Sequence, residues 1–270
     1  MEDVGSLLRG WRSSRRLSQL DLALAAGVSP RYVSLVETGR SRPSAAMVLR
    51  LADQLDVPLR HRNRLLVAAG FAPCYRERPL DTPDMAAVRD AVARVLRAHE
   101  PYPALVVDRH WNILMTNAPV DHFLAYVDPD LLDAPVNMVR LGLDPRGLAP
   151  LIVNLPEVRS FLRARLSRQV ARTGDPVVGA LYDEYFAGQA PDGAAPGPQA
   201  EVATPMVFRF QGHELSLFST VTTFGTPQDI TLEEISIESY YPADAGSAAI
   251  LRDLPGGRPA SQDTPARPSG

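Results

Sequence analysis

Residues 28–44, VSPRYVSLVETGRSRPS, contain the signals that start and stop a short helix, followed by an arginine-rich segment. Ser29 is a suitable N-cap, because its side chain can accept a hydrogen bond from the first turn. Pro30 suits the first helical position, where the N–H that proline lacks has no partner in any case. Gly39 predicts the end of the helix. The stretch therefore predicts a capped helix of about two turns.

This helix has two distinct faces when its residues are plotted at about 100° per residue. The inner face carries Val33, Val36 and Glu37. The outer face carries Arg31, Ser34, Leu35 and Thr38, with Tyr32 at the border between the two. The pattern predicts that one face is buried and that the other serves a polar partner.

Four other helices are predicted before residue 70. Apolar residues recur with helical spacing at Val4, Leu7, Leu8 and Trp11. A second helix is predicted between Ser18 and Gly27, and two more follow Ser44 and Pro58. Because a short turn containing glycine joins the second helix to the third, the arrangement is that of a helix-turn-helix.

The stretch LSQLDLALAAGVSPRYVSLVETGRSRPS resembles the phage-repressor-like, or Xre-type, DNA-binding domain, and the resemblance covers residues 4 to about 66. It implies an all-α domain that binds double-stranded DNA. It also implies that Glu37 pairs with Arg12 on the first helix as a structural ion pair, because a buried carboxylate needs a partner.

The resemblance assigns DNA contacts residue by residue. Gln19, at the start of the second helix, would contact a phosphate. Base edges or nearby phosphates would be reached by Ser29, Arg31, Tyr32 and Ser34. The DNA backbone would be contacted by Thr38, Arg40 and Arg42. Two alternatives stay open: Tyr32 could instead cover the core, and Leu35 could meet a thymine methyl group or a partner subunit.

The charge distribution agrees with a polyanion-binding head. The chain has 270 residues and a net charge of −3, yet residues 1–78 hold 13 Arg against 7 acidic residues. The remainder holds 15 against 24. A basic N-terminal third on an acidic body favours a nucleic-acid partner for the head alone.

Composition excludes several other classes. Cys74 is the only cysteine, which excludes a disulfide framework and a cysteine-based metal cluster. The N-terminus shows no signal-peptide pattern, and no apolar run approaches the ~20 residues of a membrane span. These features predict a cytoplasmic protein that does not enter a membrane, and the Xre-type resemblance implies that it is bacterial.

Residues 71–84 are rich in proline and charge and predict a linker. The residues from Met85 onward predict an amphipathic helix with one apolar stripe, formed by Met85, Val88, Val92, Val95 and Leu96. This helix is expected to couple domains, pair in a dimer or pack on its own domain. ALVVD and WNILMTN predict two strands around a turn at 108–110. MVFRF, LSLFSTVTTFG and EISIESYYP predict three further antiparallel strands. A Gly/Pro/Ala loop precedes them, and residues 243–270 predict a disordered tail.

Residues 85–242 therefore predict an α+β domain with an antiparallel sheet. Strand, turn, strand and helix resemble the start of a PAS-type sensor, and the segments RNRLLVAAGFAP and PALVVDRHWN are similar to the MmyB-like regulator ligand-binding domain. The resemblance implies a small hydrophobic effector, fatty acids among them, and no other cofactor. Candidate pocket residues are Trp111, Leu114, Phe123, Tyr126, Met138 and Phe218, with Asn137 or Arg140 for a carboxylate.

No catalytic residue and no metal ligand can be named, since the sequence lacks GxGxxG, GxSxG, HExxH and phosphate-loop motifs. The hypothesis is a homodimeric transcriptional regulator that binds a pseudo-palindromic operator and responds to the effector. Two alternatives are an enzyme with an Xre-type docking head and a haem- or flavin-containing sensor.

Overall fold

The computed structural model describes residues 3–189 and 205–254. Most of the predicted Gly/Pro/Ala loop, and residues 255–270 of the predicted tail, lie outside the described residues. The chain divides into two compact units. Among the described residues, the first unit comprises 3–82 and 224–234, and the second comprises 83–189, 205–223 and 235–254.

Five helices precede residue 70, and the strands and the remaining helices follow. The helices are α1 Val4–Ser14, α2 Gln19–Ala26, α3 Pro30–Glu37, α4 Ala45–Gln54, α5 Leu59–Ala68, α6 Ala86–Ala98, α7 Ala118–Leu124, α8 Met138–Leu143, α9 Leu155–Thr173, α10 Pro176–Phe186, α11 Ile230–Glu234 and α12 Ala245–Asp253. The strands are β1 Ala104–Val107, β2 Ile113–Thr116, β3 Met206–Phe210, β4 His213–Thr222 and β5 Ser236–Pro242.

Local signals start and stop the helices of the first unit where the sequence predicts. Ser18, Ser29 and Ser44 each accept a backbone N–H at the start of a helix. Gly27 ends α2 with a φ of 61°, which is left-handed backbone that glycine adopts without strain. The apolar faces of the helices then meet in one core, which includes Leu8, Leu22, Val33, Val36, Leu51 and Leu66.

The predicted linker is not free along most of its length. Residues 71–82 belong to the first unit. The Asn63 side chain accepts hydrogen bonds from the backbone N–H groups of Cys74 and Tyr75 and donates to the Tyr75 carbonyl. The linker prediction therefore needs correction, because an α5 side chain holds this segment against the unit.

The second unit is built on a five-stranded antiparallel sheet in the order β2-β1-β5-β4-β3. The predicted α+β fold with an antiparallel sheet is thus confirmed. Asn117, the residue after β2, ties the sheet to α6: its Nδ2 donates to the Leu96 carbonyl, and its Oδ1 accepts from the Ala104 N–H. The α7, α8 and α9 helices supply apolar side chains to the core that lies against the sheet.

Three predictions for the second unit need correction. Trp111 lies in the turn before β2 with a φ of 71°, because β2 begins only at Ile113, two residues later than predicted. Val95, assigned to the apolar stripe of α6, is half exposed, whereas Val92 and Leu96 are buried. The tail contains α12, whose Leu251 is fully buried in the core, so ordered structure extends well past residue 243.

In the part of the chain that the structure describes, no helix is both long enough and apolar enough to cross a membrane.

Candidate functional site

The first candidate site is the outer face of α3. Val33, Val36 and Glu37 are buried on its inner face, as predicted. Tyr32 is half-buried and packs against the core, which favours its role as core cover. The turn before α3 is short, and α3 begins directly after Ser29. One face of the helix is thereby anchored, and the side chains of the other face are left for a partner.

Glu37 lies at the centre of a charged cluster that fixes α3 to α1. Arg12 donates through Nε to Oε1 at 2.7 Å and through Nη2 to Oε2 at 2.9 Å, which confirms the predicted ion pair. Gln19 Nε2 donates to Oε2 at 2.8 Å, and Arg9 Nε lies 3.6 Å from the same oxygen. Burial raises the pKa of Glu37, but the hydrogen bonds from Arg12 and Gln19 outweigh it and leave the pKa below its ordinary value.

Gln19 therefore also has a structural role, because it binds Glu37. One N–H of its side-chain amide is held by Glu37, so the predicted phosphate contact falls to the second amide N–H. Ser29 accepts the Tyr32 N–H and keeps its own hydroxyl proton to donate. Thr38 differs, because its hydroxyl already donates to the Ser34 carbonyl at 2.8 Å. Its assignment as a phosphate donor conflicts with that hydrogen bond.

Three exposed arginines lie in α3 or within five residues of its end. Arg31, Arg40 and Arg42 are exposed, and none of the three is held by a carboxylate within the described residues. Ser34, on the same face of α3 as Arg31, is half-buried. Arg31 lies in the first turn of α3, and Arg40 and Arg42 follow its last residue, so guanidinium groups are available at both ends of this helix, which suits the phosphates and guanine edges of a DNA groove.

A segment from far along the chain completes the first unit. Arg60 on α5 donates to both carboxylate oxygens of Glu234, at 2.7 and 2.9 Å, and also pairs with Glu77. Glu233 Oε2 accepts the Leu59 N–H at 2.7 Å and so caps α5, whose own N-cap, Pro58, offers no side-chain acceptor. Arg78 pairs with Asp229 at 2.8 Å. The segment 224–234 is therefore held by charge and by a helix cap.

We expect Arg60→Met to loosen this segment. The variant removes both hydrogen bonds to Glu234 and leaves two carboxylates without their shared cation. Amide hydrogen exchange over residues 229–234 should become about tenfold faster, which corresponds to about 1.4 kcal/mol. Arg62→Met is the control, because it removes the same charge from α5 and breaks hydrogen bonds to Asp53 and to the Val57 carbonyl, but leaves the pairs of Arg60 with Glu234 and Glu77 in place. Equal exchange in the two variants would contradict the anchoring role.

The second candidate site is a cavity of about 120 Å³ within the second unit. It lies between the sheet and helices α7, α8 and α9. Its wall is almost entirely apolar and includes Phe123, Met138, Leu162, Phe208 and Leu217. A concave apolar space with few polar groups is the usual form of a small-molecule site.

The polar groups of the cavity come from α9, β4 and β5. Arg165 Nη2 donates to Glu238 Oε1 at 2.5 Å, and the Glu238 side chain is 1% exposed. The Arg165 guanidinium also lies 4.3 Å above the ring of Trp111. Ser219 lines the same cavity, as does Tyr240, whose hydroxyl donates to Met138 Sδ at 3.8 Å.

The structure places the predicted pocket residues in different surroundings. Phe123 and Met138 line the cavity. Trp111 supports Arg165, and its Nε1 donates to Gln169. Leu114 and Tyr126 are 40% and 47% exposed, and Phe218 stacks on Tyr241. These four need correction as wall residues. Leu114 and Phe218 alternate along their strands with Ile113 and Leu217, which line the cavity, whereas Trp111 lies in the turn before β2 and Tyr126 follows the end of α7.

The two predicted carboxylate-binding groups also need correction. Asn137 Oδ1 accepts the N–H groups at the start of α8, and its Nδ2 donates to the His110 carbonyl. Arg140 pairs with Glu184 at 2.8 Å on the surface. Sequence reasoning missed Arg165 and Glu238. The available signal was a lone carboxylate inside the strand sequence SIESYYP.

The fold and the two sites define a helix-turn-helix unit joined to an α+β unit that contains an apolar cavity. Residues 88–254 match the MmyB-like transcription regulator ligand binding domain, and residues 8–61 match the helix-turn-helix family. The chain belongs to the MmyB-like family, since that match spans more than half of its length. The predicted resemblance of the first domain to the Xre-type helix-turn-helix and of the second to the MmyB-like domain is thereby confirmed.

Parts of the chain are similar to several known proteins. The HTH-type transcriptional regulator Rv0023 of Mycobacterium tuberculosis is 34% identical over 116 residues, which is 40% of this chain and 39% of that protein. The chain thus matches less than half the length of this relative. The HTH-type transcriptional repressor RghR of Bacillus subtilis is 27% identical, covering 48% of this chain and 94% of the repressor. The restriction-modification controller protein C.AhdI from Aeromonas hydrophila is 37% identical with a TM-score of 0.21, covering 22% and 89% of the respective chains.

Proposed function

We propose that the protein is a DNA-binding transcriptional regulator whose operator affinity depends on a small apolar effector. The observation that carries the DNA-binding part is the set of exposed arginines, Arg31, Arg40 and Arg42, around an α3 helix whose other face is anchored by Glu37. The proposal involves no catalytic step and no cofactor beyond the effector. Such a regulator would act in the bacterial cytoplasm.

The chain would bind DNA as a homodimer. Two copies of α3 placed about 34 Å apart would meet successive major grooves of a pseudo-palindromic operator. In this arrangement Arg31 would form a bidentate pair with guanine O6 and N7, with Gln19, Ser29 and Ser34 as supporting polar contacts. Arg40 and Arg42 would neutralise phosphates. Analytical ultracentrifugation of the purified chain tests the dimer directly.

We expect Arg31→Ala and Arg40→Ala to weaken DNA binding in different ways. Loss of a base contact by Arg31→Ala should cost about 1–3 kcal/mol on the preferred operator and relax the base preference at one position. Loss of a phosphate contact by Arg40→Ala should weaken binding to all sequences alike and reduce the salt slope by about one. The measurement is fluorescence anisotropy on operator and scrambled duplexes at several salt concentrations.

Arg94→Ala is the control for both variants, because it removes one exposed arginine from α6, outside the helix-turn-helix unit. It should leave the operator affinity and the salt slope unchanged. Equal binding of wild type and Arg31→Ala, with no sequence preference in either, would refute the assignment of α3 as the recognition helix.

The cavity supports the effector part of the proposal. It is apolar on nearly all sides, as the hydrocarbon chain of a lipid-sized ligand, such as that of a fatty acid, requires. Its strand β5, which carries Glu238 and Tyr240, begins at Ser236, directly after the anchored segment 224–234. A ligand that shifts β5 would therefore act on a strand covalently continuous with the DNA-binding unit, and so bias its operator affinity.

Native mass spectrometry tests whether the purified protein carries such a ligand. Delipidated and ligand-loaded protein should then differ in operator affinity by about 5- to 150-fold, the usual range of allosteric coupling. Identical operator affinities of the two forms would contradict regulation by the effector while leaving DNA binding intact.

A further inference from the structure

The cavity holds a buried pair of opposite charges at its polar end. The Glu238 side chain is 1% exposed and its Oε1 is bound by Arg165, whose side chain is 23% exposed. Both residues line the cavity. The Arg165 guanidinium also packs over the ring of Trp111, which helps to fix its position.

This pair changes which ligand head group the cavity favours. Glu238 already neutralises Arg165, so a ligand carboxylate would lose its hydration while the attraction of Arg165 and the repulsion of Glu238 largely cancel. The carboxylate of Glu238 has two oxygens, and one hydrogen bond, from Arg165, is formed among the described residues. Arg165 likewise has N–H groups beyond the Nη2 bond. The pair can therefore both accept from and donate to a neutral group.

We propose that the effector is an apolar molecule with a neutral head group, such as a hydroxyl or an amide, that donates to Glu238 and accepts from Arg165. Ser219 and the Tyr240 hydroxyl are the remaining polar groups in the cavity wall. Burial raises the pKa of Tyr240, so its hydroxyl stays protonated and adds no charge. This inference rests on the proposed function and specifies the chemistry of its effector.

The test compares three probes that share one chain length and differ only in head-group charge: 1-decanol, decanoate and decylammonium. Isothermal titration calorimetry on the full chain at neutral pH measures each affinity below the critical micelle concentration. We expect 1-decanol to bind at least about tenfold more tightly than decanoate, because its hydroxyl keeps the cavity electrically neutral.

Glu238→Gln should reverse this order. Without the carboxylate, the charge of Arg165 is uncompensated, and decanoate should gain about tenfold or more while 1-decanol changes little. Arg165→Met should instead favour decylammonium, since it leaves Glu238 alone. Glu184→Gln removes a surface carboxylate paired with Arg140 and serves as the control, with the order of the wild type retained.

The wild-type comparison decides the inference even if a variant fails to fold. Tighter binding of decanoate than of 1-decanol would overturn the neutral head group and leave the effector-regulated function standing. Binding of none of the three probes would overturn both, because the cavity would then not be an effector site. Binding of 1-decanol with the reversal in Glu238→Gln supports the inference.

Discussion

Replacement of Arg12 by methionine is expected to lower the free energy of unfolding of the first unit by about 3 kcal/mol at neutral pH. The reason is that Arg12→Met removes both strong hydrogen bonds to the Glu37 carboxylate, whose side chain is only 1% exposed. Gln19 and the more distant Arg9 remain, which places the loss at the lower end of the range for a buried charge without its partner. Urea unfolding followed by circular dichroism measures it.

The pH dependence of this loss distinguishes a charge effect from a packing effect. In the wild type the pKa of Glu37 is lowered, so its contribution is complete above the unfolded pKa of about 4.3 and is lost as pH falls through the folded pKa. In Arg12→Met, burial should dominate and raise the pKa of Glu37. The stability deficit should therefore shrink as the pH falls from about 7 to about 5. A deficit that stays constant over this range would contradict the electrostatic explanation.

The double variant Arg12→Met/Glu37→Met is the matched control. It replaces both charges by apolar side chains of similar size, so no buried carboxylate remains. It should be more stable than Arg12→Met alone, even though it lacks one more native side chain. If the double variant loses the sum of the two single losses, the two residues do not act as a pair.

Gly5→Ala is expected to destabilise the first unit by about 2–3 kcal/mol, because α1 packs against the backbone at the end of α3. A Cβ atom on Gly5 would lie 2.3 Å from the Val36 carbonyl oxygen and 2.9 Å from the Glu37 carbonyl carbon. Backbone atoms cannot rotate away as a flexible side chain can, so the two helices must separate. Thermal unfolding measures the loss, and operator binding should fall with it because the same contact orients α3.

Gly10→Ala, on the same helix, is expected to stabilise the first unit instead. A Cβ atom at Gly10 meets nothing within 4 Å, and Gly10 lies in the exposed interior of α1. Alanine should therefore raise the free energy of unfolding by up to about 1 kcal/mol through helix propensity alone. Destabilisation by both substitutions, or by neither, would contradict the close approach of α1 and α3.

Much of the first unit could be predicted from the chain itself. Ser18, Ser29 and Ser44 act as helix caps and Gly27 as a stop, because these effects involve backbone groups within three or four residues. The pairing of Arg12 with Glu37 came from the family resemblance, and the geometry agrees. The strands of the second unit were predictable from β-rich runs between turn residues.

The polar end of the cavity could not be predicted in this way. Arg165 and Glu238 lie 73 residues apart and meet only because β5 pairs between β1 and β4 while α9 lies over the cavity. A shift of one residue in the register of β5 would turn Glu238 to the opposite face of the sheet. The choice of Asn137 and Arg140 was wrong because side-chain type alone carries no information about which way a residue points.

The sequence by itself determined the helix-turn-helix, its caps and the exposed arginines, since each depends on short-range hydrogen bonds and helical periodicity. The tertiary structure decided that residues 224–234 join the first unit through Arg60 and that a buried ion pair lines the ligand cavity. Both depend on contacts between residues far apart in the chain, where strand register and packing select among many equally polar partners.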